Sequence, residues 1–290
     1  MCSKRFSLKS FEFERWDHDR LVVNSSAAAI LRSNRLTTFR ALMDYQGGTN
    51  AKNVLRERTT TRIVLTDKTG REQPFYIKRH RPPPWKEYVK PWLRLTRPIL
   101  GARNEWEAIL RFHAASIRTM IPIALGECRR HSFLVTASIE GCEKLSHWMD
   151  DHLIDGPRLD RSQIIPLLVD VAQITRRMHA AGLHHQDFYL THLLLPDEPD
   201  RPAEEDEESR TGIHVIDLGR ARYRKRLSRR WIVKDLAQLN YSARLLTHSD
   251  RRRFLELYLG RPLTPADRPF VRRIVRKSVA IARHSRRNRL

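Results

Sequence analysis

Two aspartates bracket a pair of short apolar runs, and that arrangement limits what this chain can fold into more than any other feature of it. "GLHHQDFYLTHLLL" (182–195) sets Asp187 five residues ahead of His192, then reads as a buried strand through Leu193, Leu194 and Leu195. "IHVIDLG" (213–219) is a β-branched strand running into Asp217 and Gly219. Paired antiparallel, 193–195 and 213–216 form a hairpin that puts Asp187 and Asp217 near one of its ends. Its tip, "PDEPDRPAEEDEESR" (196–210), holds eight acids and three prolines. Such a composition cannot bury enough apolar surface to pack and reads as an exposed, mobile loop. Two carboxylates at one mouth suit metal-assisted chemistry, one acting on a hydroxyl proton while the other holds Mg2+ on a phosphate.

The elements around the hairpin come in a definite order. Residues 1–50 read as an N-terminal extension of unassigned structure, in which "SSAAAILRSNRLTTFRALMDY" has helical spacing that breaks at Gly47 and Gly48. "TTTRIVLTD" (59–67) and "PFYIKRH" (74–80) are β-rich runs joined by "KTGREQ", a hairpin with Gly70 at its turn. "RPPPWKEYVKPWLRLTRPILGAR" (81–103) mixes proline, aromatic and basic residues and reads as a loop or an interrupted helix. The spacing predicts a helix over 104–118 with Asn104 as its N-cap, then strands near 121–127 and 132–138. "GCEKL" reads as a connector, followed by a long helix over 162–181 with Ser162 as cap, Pro166 in its early turns and Gly182 as its stop. The rest, including "RARYRKRLSRR" (220–230) with seven Arg or Lys in eleven positions, reads as helical and very basic. The layout is α+β, with a β-rich part over 51–138 and a helical part over 139–290.

Composition narrows the class. A chain of 290 residues with 40% hydrophobic content can bury a sizeable core. Its 55 Lys and Arg against 33 acids give a net charge of +22, which favours a polyanionic partner: nucleic acid, an anionic membrane or a phosphorylated glycan. Three cysteines (Cys2, Cys128, Cys142) have neither disulfide-framework nor zinc-type spacing. No apolar stretch has the length of a membrane span, and the first residues carry charges where a secretory signal would be apolar, so a soluble, cytoplasmic protein is expected.

Taken in order, the pieces "FYIK" (75–78), "NEWE" (104–107), "HQDFYLTH" (185–192) and "DLG" (217–219) give Lys on a strand, Glu on a helix, an H-x-D loop and a D-x-G after a strand. That is the order of a protein kinase. "GARNEWEAILRFHAASIRTMIPIALGE", "MHAAGLHHQDFYLTHLLL" and "IHVIDLGRAR" together resemble the lipopolysaccharide core kinases, the Kdo/WaaP group of the protein-kinase-like superfamily. The resemblance covers most of residues 70–245 and leaves out the first fifty residues, the acidic insert and the final helix. It implies a two-lobed protein-kinase-like fold with a β-rich N-lobe and a helical C-lobe. It also implies ATP in the cleft, Mg2+, and phosphoryl transfer to a sugar hydroxyl, a heptose, of the lipopolysaccharide inner core.

On that resemblance Lys78 contacts the ATP phosphates and a helix glutamate pairs with it. Glu105 and Glu107 compete, and at about 100° per residue Glu105 falls on the apolar face with Ile109 and Phe112, so Glu105 is the choice. Asp187 is the catalytic base, His185 holds the loop by hydrogen bonds, and Asp217 holds Mg2+. His192 stands where protein kinases carry a metal-binding Asn; it binds the metal or hydrogen-bonds a phosphate oxygen, Mg2+ preferring oxygen ligands. Gln186 replaces the H-R-D arginine, so activation by loop phosphorylation is not expected. Asp235 braces the catalytic loop or caps a helix. No G-x-G-x-x-G is present; Gly47-Gly48, the only glycine pair upstream of Lys78, is the candidate for the phosphate-covering turn.

The charge then acquires a use. Inner-core lipopolysaccharide is an acidic glycolipid, and basic segments at 79–103, 220–230 and 268–290 can dock on it and on an anionic membrane surface. Trp85, Tyr88 and Trp92, interleaved with basic residues, fit an interfacial segment or pack on the small lobe. The expected location is cytoplasmic, peripheral at the inner face of the inner membrane, with no specific nucleic-acid partner. Two alternatives remain: a kinase of Kdo, another glycan or protein tyrosine, and an inactive basic module binding anionic membrane or nucleic acid.

Overall fold

The structure, a computed structural model, describes residues 11–55, 58–82, 101–153, 161–197 and 211–287. The chain divides into two units, Met1–Leu110 with Met120–Ile139, and Arg111–Thr119 with Glu140–Leu290. The aromatic–basic segment around Trp85, Tyr88 and Trp92 and most of the acidic insert lie outside the described residues.

The first unit is built on an antiparallel seven-stranded sheet. Its strands are β1 (Phe13–Trp16), β2 (Leu21–Asn24), β3 (Thr49–Leu55), β4 (Arg58–Thr66), β5 (Glu72–His80), β6 (Pro122–Cys128) and β7 (His131–Ala137), in the order β1-β2-β6-β7-β5-β4-β3. The expected hairpin is β4–β5, in register from Arg58↔His80 to Thr66↔Glu72. Asp67 organises its turn by accepting from the Thr69 and Arg71 backbone N–H groups at 2.8 and 3.0 Å. Side chains alternate across a strand. Phe75 and Ile77 face a core shared with Ile63, Leu65 and the short helices α1 (Ala28–Ser33) and α2 (Phe39–Met43), while Lys78 points to the opposite face.

Residues from Phe11 to Asn50 are therefore integral to this unit, not an extension of it. Gly47 and Gly48 open β3, where a Cβ on Gly48 would lie 2.5 Å from the Arg62 carbonyl oxygen. That close approach to β4 accounts for the glycine without a phosphate. Helix α3 (Arg103–Ala114) begins one residue before Asn104. The Ala102 carbonyl caps it, accepting from Glu105 and Trp106 N–H at 3.1 Å, so Asn104 sits in the first turn instead. The helix stops short of the expected residue 118 because Ser116 turns into the left-handed region at φ 55°.

In the second unit a three-stranded sheet of β11 (His214–Val215), β10 (Leu193–Pro196) and β8 (Cys142–Lys144) carries the expected hairpin, in the register Leu193↔Val215 and Leu194↔His214. The supposed connector "GCEKL" supplies its third strand, Leu195 pairing with Glu143. Around it lie α4 (Leu145–Leu153), α5 (Arg161–Ala180), α6 (Arg229–Ser242), α7 (His248–Leu259) and α8 (Arg268–Arg287). Gly182 ends α5 at φ 73°, with the Arg224 carbonyl oxygen 2.3 Å from where a Cβ would stand. The run at 220–230 is not wholly helical, since β12 (Arg222–Tyr223) pairs with β9 (Leu183–His184). Among the described residues, no helix is long and apolar enough to cross a membrane.

Candidate active site

In the first unit, strand alternation puts Lys78 on the face away from the core, and the first turn of α3 puts Glu105 within its reach. Lys78 Nζ lies 2.6 Å from Glu105 Oε1. The Glu105 side chain is 5% exposed and the Lys78 side chain 26%. A carboxylate that deeply buried is tolerable only with a charged partner. Glu107, the competing acid, is exposed to solvent.

In the second unit, α6 holds the loop that carries Asp187. Asp235, Gln238 and Ser242 sit on one face of that helix by their three- and four-residue spacing. Asp235, fully buried, accepts from the backbone N–H of His185 at 2.8 Å and of Gln186 at 2.9 Å. Gln238 accepts from Phe188 N–H at 3.1 Å and donates to the Gln186 carbonyl at 2.7 Å. Ser242 Oγ accepts from Leu190 N–H at 3.0 Å. Burial alone would raise the Asp235 carboxyl; the His179 imidazole and the His185 backbone N–H outweigh it and hold the group below its usual range. Asp235 thus braces the loop from mid-helix and caps nothing.

His185 is fully buried, and burial holds its imidazole below the usual pKa, in the neutral form. Nε2 donates to the Ile216 carbonyl at 3.0 Å and Nδ1 accepts from Asp187 N–H at 3.3 Å, tying the loop to the strand before Asp217. His192 joins the two aspartates. Its Nδ1 lies 2.7 Å from the Asp187 carbonyl oxygen, an acceptor only, so that nitrogen carries the hydrogen. The opposite nitrogen, Nε2, faces Asp217 Oδ2 at 3.5 Å. That ring nitrogen and the carboxylate face each other, an arrangement that suits a cation. Asp217 is in the left-handed region (φ 59°, ψ 54°) with its side chain 56% exposed, and Gln186 is also left-handed at φ 71°. Non-glycine residues held there cluster at functional sites.

Three features of the site were not read from the sequence. Arg220 Nη1 lies 3.1 Å from both carboxylate oxygens of Asp187, and Gln186 Nε2 donates to the Arg220 carbonyl at 2.8 Å. Lys234, from α6, is held below the usual lysine range by burial and by the Arg220 charge, with Asp187 opposing. Gln238 and Ser242 complete the brace. The Asp235–Gln238–Ser242 spacing along one helix face was the signal available; for Arg220, one of many arginines in its run, there was none.

A loop carboxylate held by an arginine, a second carboxylate beside an imidazole, and a buried lysine–glutamate pair are the parts of a phosphotransferase of the protein-kinase-like class. The chain belongs to the Lipopolysaccharide kinase (Kdo/WaaP) family, which matches residues 48–258, and it is an ATP-dependent kinase. It is similar to "Lipopolysaccharide core heptose(I) kinase WaaP" of Pseudomonas aeruginosa, 39% identical over 219 residues, 72% of this chain and 78% of that protein. The protein of the same description from Escherichia coli is 36% identical over 217 residues, with the same shares covered. A solved structure, "WaaP in complex with acyl carrier protein", superposes with a TM-score of 0.64 at 31% identity, covering 93% of this chain and 97% of that one. The fold is the expected protein-kinase-like α+β fold.

Proposed function

We propose that the protein transfers the γ-phosphoryl group of ATP to a heptose hydroxyl of the lipopolysaccharide inner core. The relatives' descriptions supply the acceptor, and the junction at His192, which holds the Asp187 and Asp217 segments together, is the observation that carries the chemistry. Asp187 takes the proton of the attacking hydroxyl as the new O–P bond forms, and the bond from the γ-phosphorus to the β-bridging oxygen breaks with ADP as leaving group. Lys78, held by Glu105, steadies the ATP phosphates.

The residues fit Mg2+: Asp217 offers carboxylate oxygens, and His192 Nε2 lies 3.5 Å from them. Among the described residues no group of three or more such side chains forms a closed cage. That suits an ion held by one or two carboxylates and completed by substrate phosphates. When bound, Mg2+ neutralises charge developing on the phosphates.

The acceptor is lipid-anchored, so the enzyme works peripherally at the cytoplasmic face of the inner membrane. The similar structure's partner also suggests an acyl carrier protein as a companion of this chain.

The test is an acceptor panel: dephosphorylated core lipopolysaccharide, free Kdo, a tyrosine peptide and buffer, each with ATP and Mg2+, the product mapped by phosphorus NMR. A phosphate ester on heptose is expected. An ester on Kdo or tyrosine alone would replace the heptose assignment, and no transfer to any acceptor would leave a binding module.

A further inference from the structure

The outward face of α8 carries charge of one sign only. Over Arg268–Arg287 there are eight Arg or Lys and no Asp or Glu. On the neighbouring segment two arginines do meet acids: Arg252 reaches Glu256 at 3.0 Å and Arg261 reaches Asp267 at 2.8 Å. Among the described residues no acid forms an ion pair with any of the eight on α8. Arg268, Arg272 and Arg276 follow one another at four-residue spacing, as do Arg283 and Arg287, and like charges so spaced destabilise a helix. An ordinary solvated face relieves that repulsion by mixing signs. This one does not.

The inner face of the helix is already committed. Ile274 packs with Leu236 and Ala237, and Ser278 Oγ donates to the Ala237 carbonyl at 3.0 Å while accepting from Asn240 Nδ2 at 2.9 Å. The helix therefore cannot roll its apolar side outward. It presents its cations on a fixed rod roughly 30 Å long, with no backbone ordering cost left to meet on binding. Midway along the outward side, one turn apart, Val275 and Val279 are 50% and 45% exposed.

We propose that this face docks on a bilayer bearing anionic phospholipids, the arginines meeting headgroup phosphates and the two valines resting among the headgroups. The valines favour a bilayer over nucleic acid, whose phosphates would engage the arginines and leave the valines in water. The proposed lipid-anchored acceptor gives the docking its purpose. Vesicles free of glycolipid test the docking apart from catalysis.

The full chain is sedimented at physiological salt with phosphatidylcholine vesicles, with and without phosphatidylglycerol. Binding only to the phosphatidylglycerol vesicles is expected. The triple variant Arg272→Gln, Arg276→Gln, Arg283→Gln should bind about 100-fold more weakly, with unchanged circular dichroism and unchanged phosphotransfer to a water-soluble acceptor. Lysine at the same three positions should keep the binding. Equal binding by the glutamine triple and the parent would overturn the proposal, as would equal binding to uncharged vesicles or a preference for duplex DNA or an acidic carrier protein over phosphatidylglycerol.

Discussion

Replacing Asp235 with alanine takes one acceptor away from two donors, the buried His185 N–H at 2.8 Å and the half-buried Gln186 N–H at 2.9 Å. Asp235 and His185 are both fully buried, so the His185 N–H has no water to turn to. A hydrogen bond to a charged acceptor contributes roughly 1.5–3 kcal/mol, and stripping one side of a buried charged network costs about 3–5 kcal/mol in all. His179 Nε2, 3.5 Å from the carboxylate, loses that neighbour as well. The expected loss is therefore about 4 kcal/mol, a drop of roughly 10 °C in Tm for a unit of this size. Urea unfolding followed by tryptophan fluorescence measures it, since Trp231 lies on the same helix, one turn before Asp235. Activity should fall with it, because the loop that aims Asp187 loses its anchor. Asp187→Ala is the control: its carboxylate meets a half-exposed Arg220, and such pairs contribute about 1 kcal/mol or less. A loss below about 1 kcal/mol for Asp235→Ala would refute the brace.

Other consequences are equally measurable. His184 is fully buried, stacked on Trp231 at 4.5 Å, and burial lowers its pKa from 6.5 to about 4. The unfolded chain then binds the extra proton first, so its stabilising share is complete above pH 6.5 and is lost as pH falls toward 4, by about 3 kcal/mol at most. His184→Phe should flatten that part of the stability–pH curve in urea titrations. Glu105→Gln leaves Lys78 without its counter-charge; kcat/KM should fall about 10²- to 10³-fold, while a wild-type value would separate the pair from catalysis. Arg220→Gln frees both oxygens of Asp187, and steady-state kinetics should show kcat down about tenfold with the KM for ATP unchanged.

Several elements were legible because their signals are local. The β4–β5 hairpin announces itself by β-branched runs either side of "KTGREQ", and the pairing of β10 with β11 by apolar runs flanking an acidic tip. β1 and β2 were not, because their turn carries no glycine or proline; Asp17, His18 and Asp19 take positive φ values of 50°, 53° and 64° instead. β8 was missed because "CEK" has no alternation of its own and becomes a strand only by pairing with Leu194–Pro196. At the proposed site, Lys78, Asp187 and Asp217 are assigned by motif, and helical phase chose Glu105 over Glu107 as the partner that Lys78 meets at 2.6 Å. Arg220 and the Asp235–Gln238–Ser242 face act on atoms about 30–50 positions away, many of them backbone, and no local pattern encodes such partners.

The central claim is that Asp187 accepts the acceptor's proton, and single-turnover transfer from ATP to dephosphorylated core lipopolysaccharide tests it most directly. With Asp187→Asn the rate constant should fall about 10²- to 10⁴-fold while ATP affinity, measured calorimetrically, stays as in the parent. An undiminished transfer rate in that variant would contradict the account.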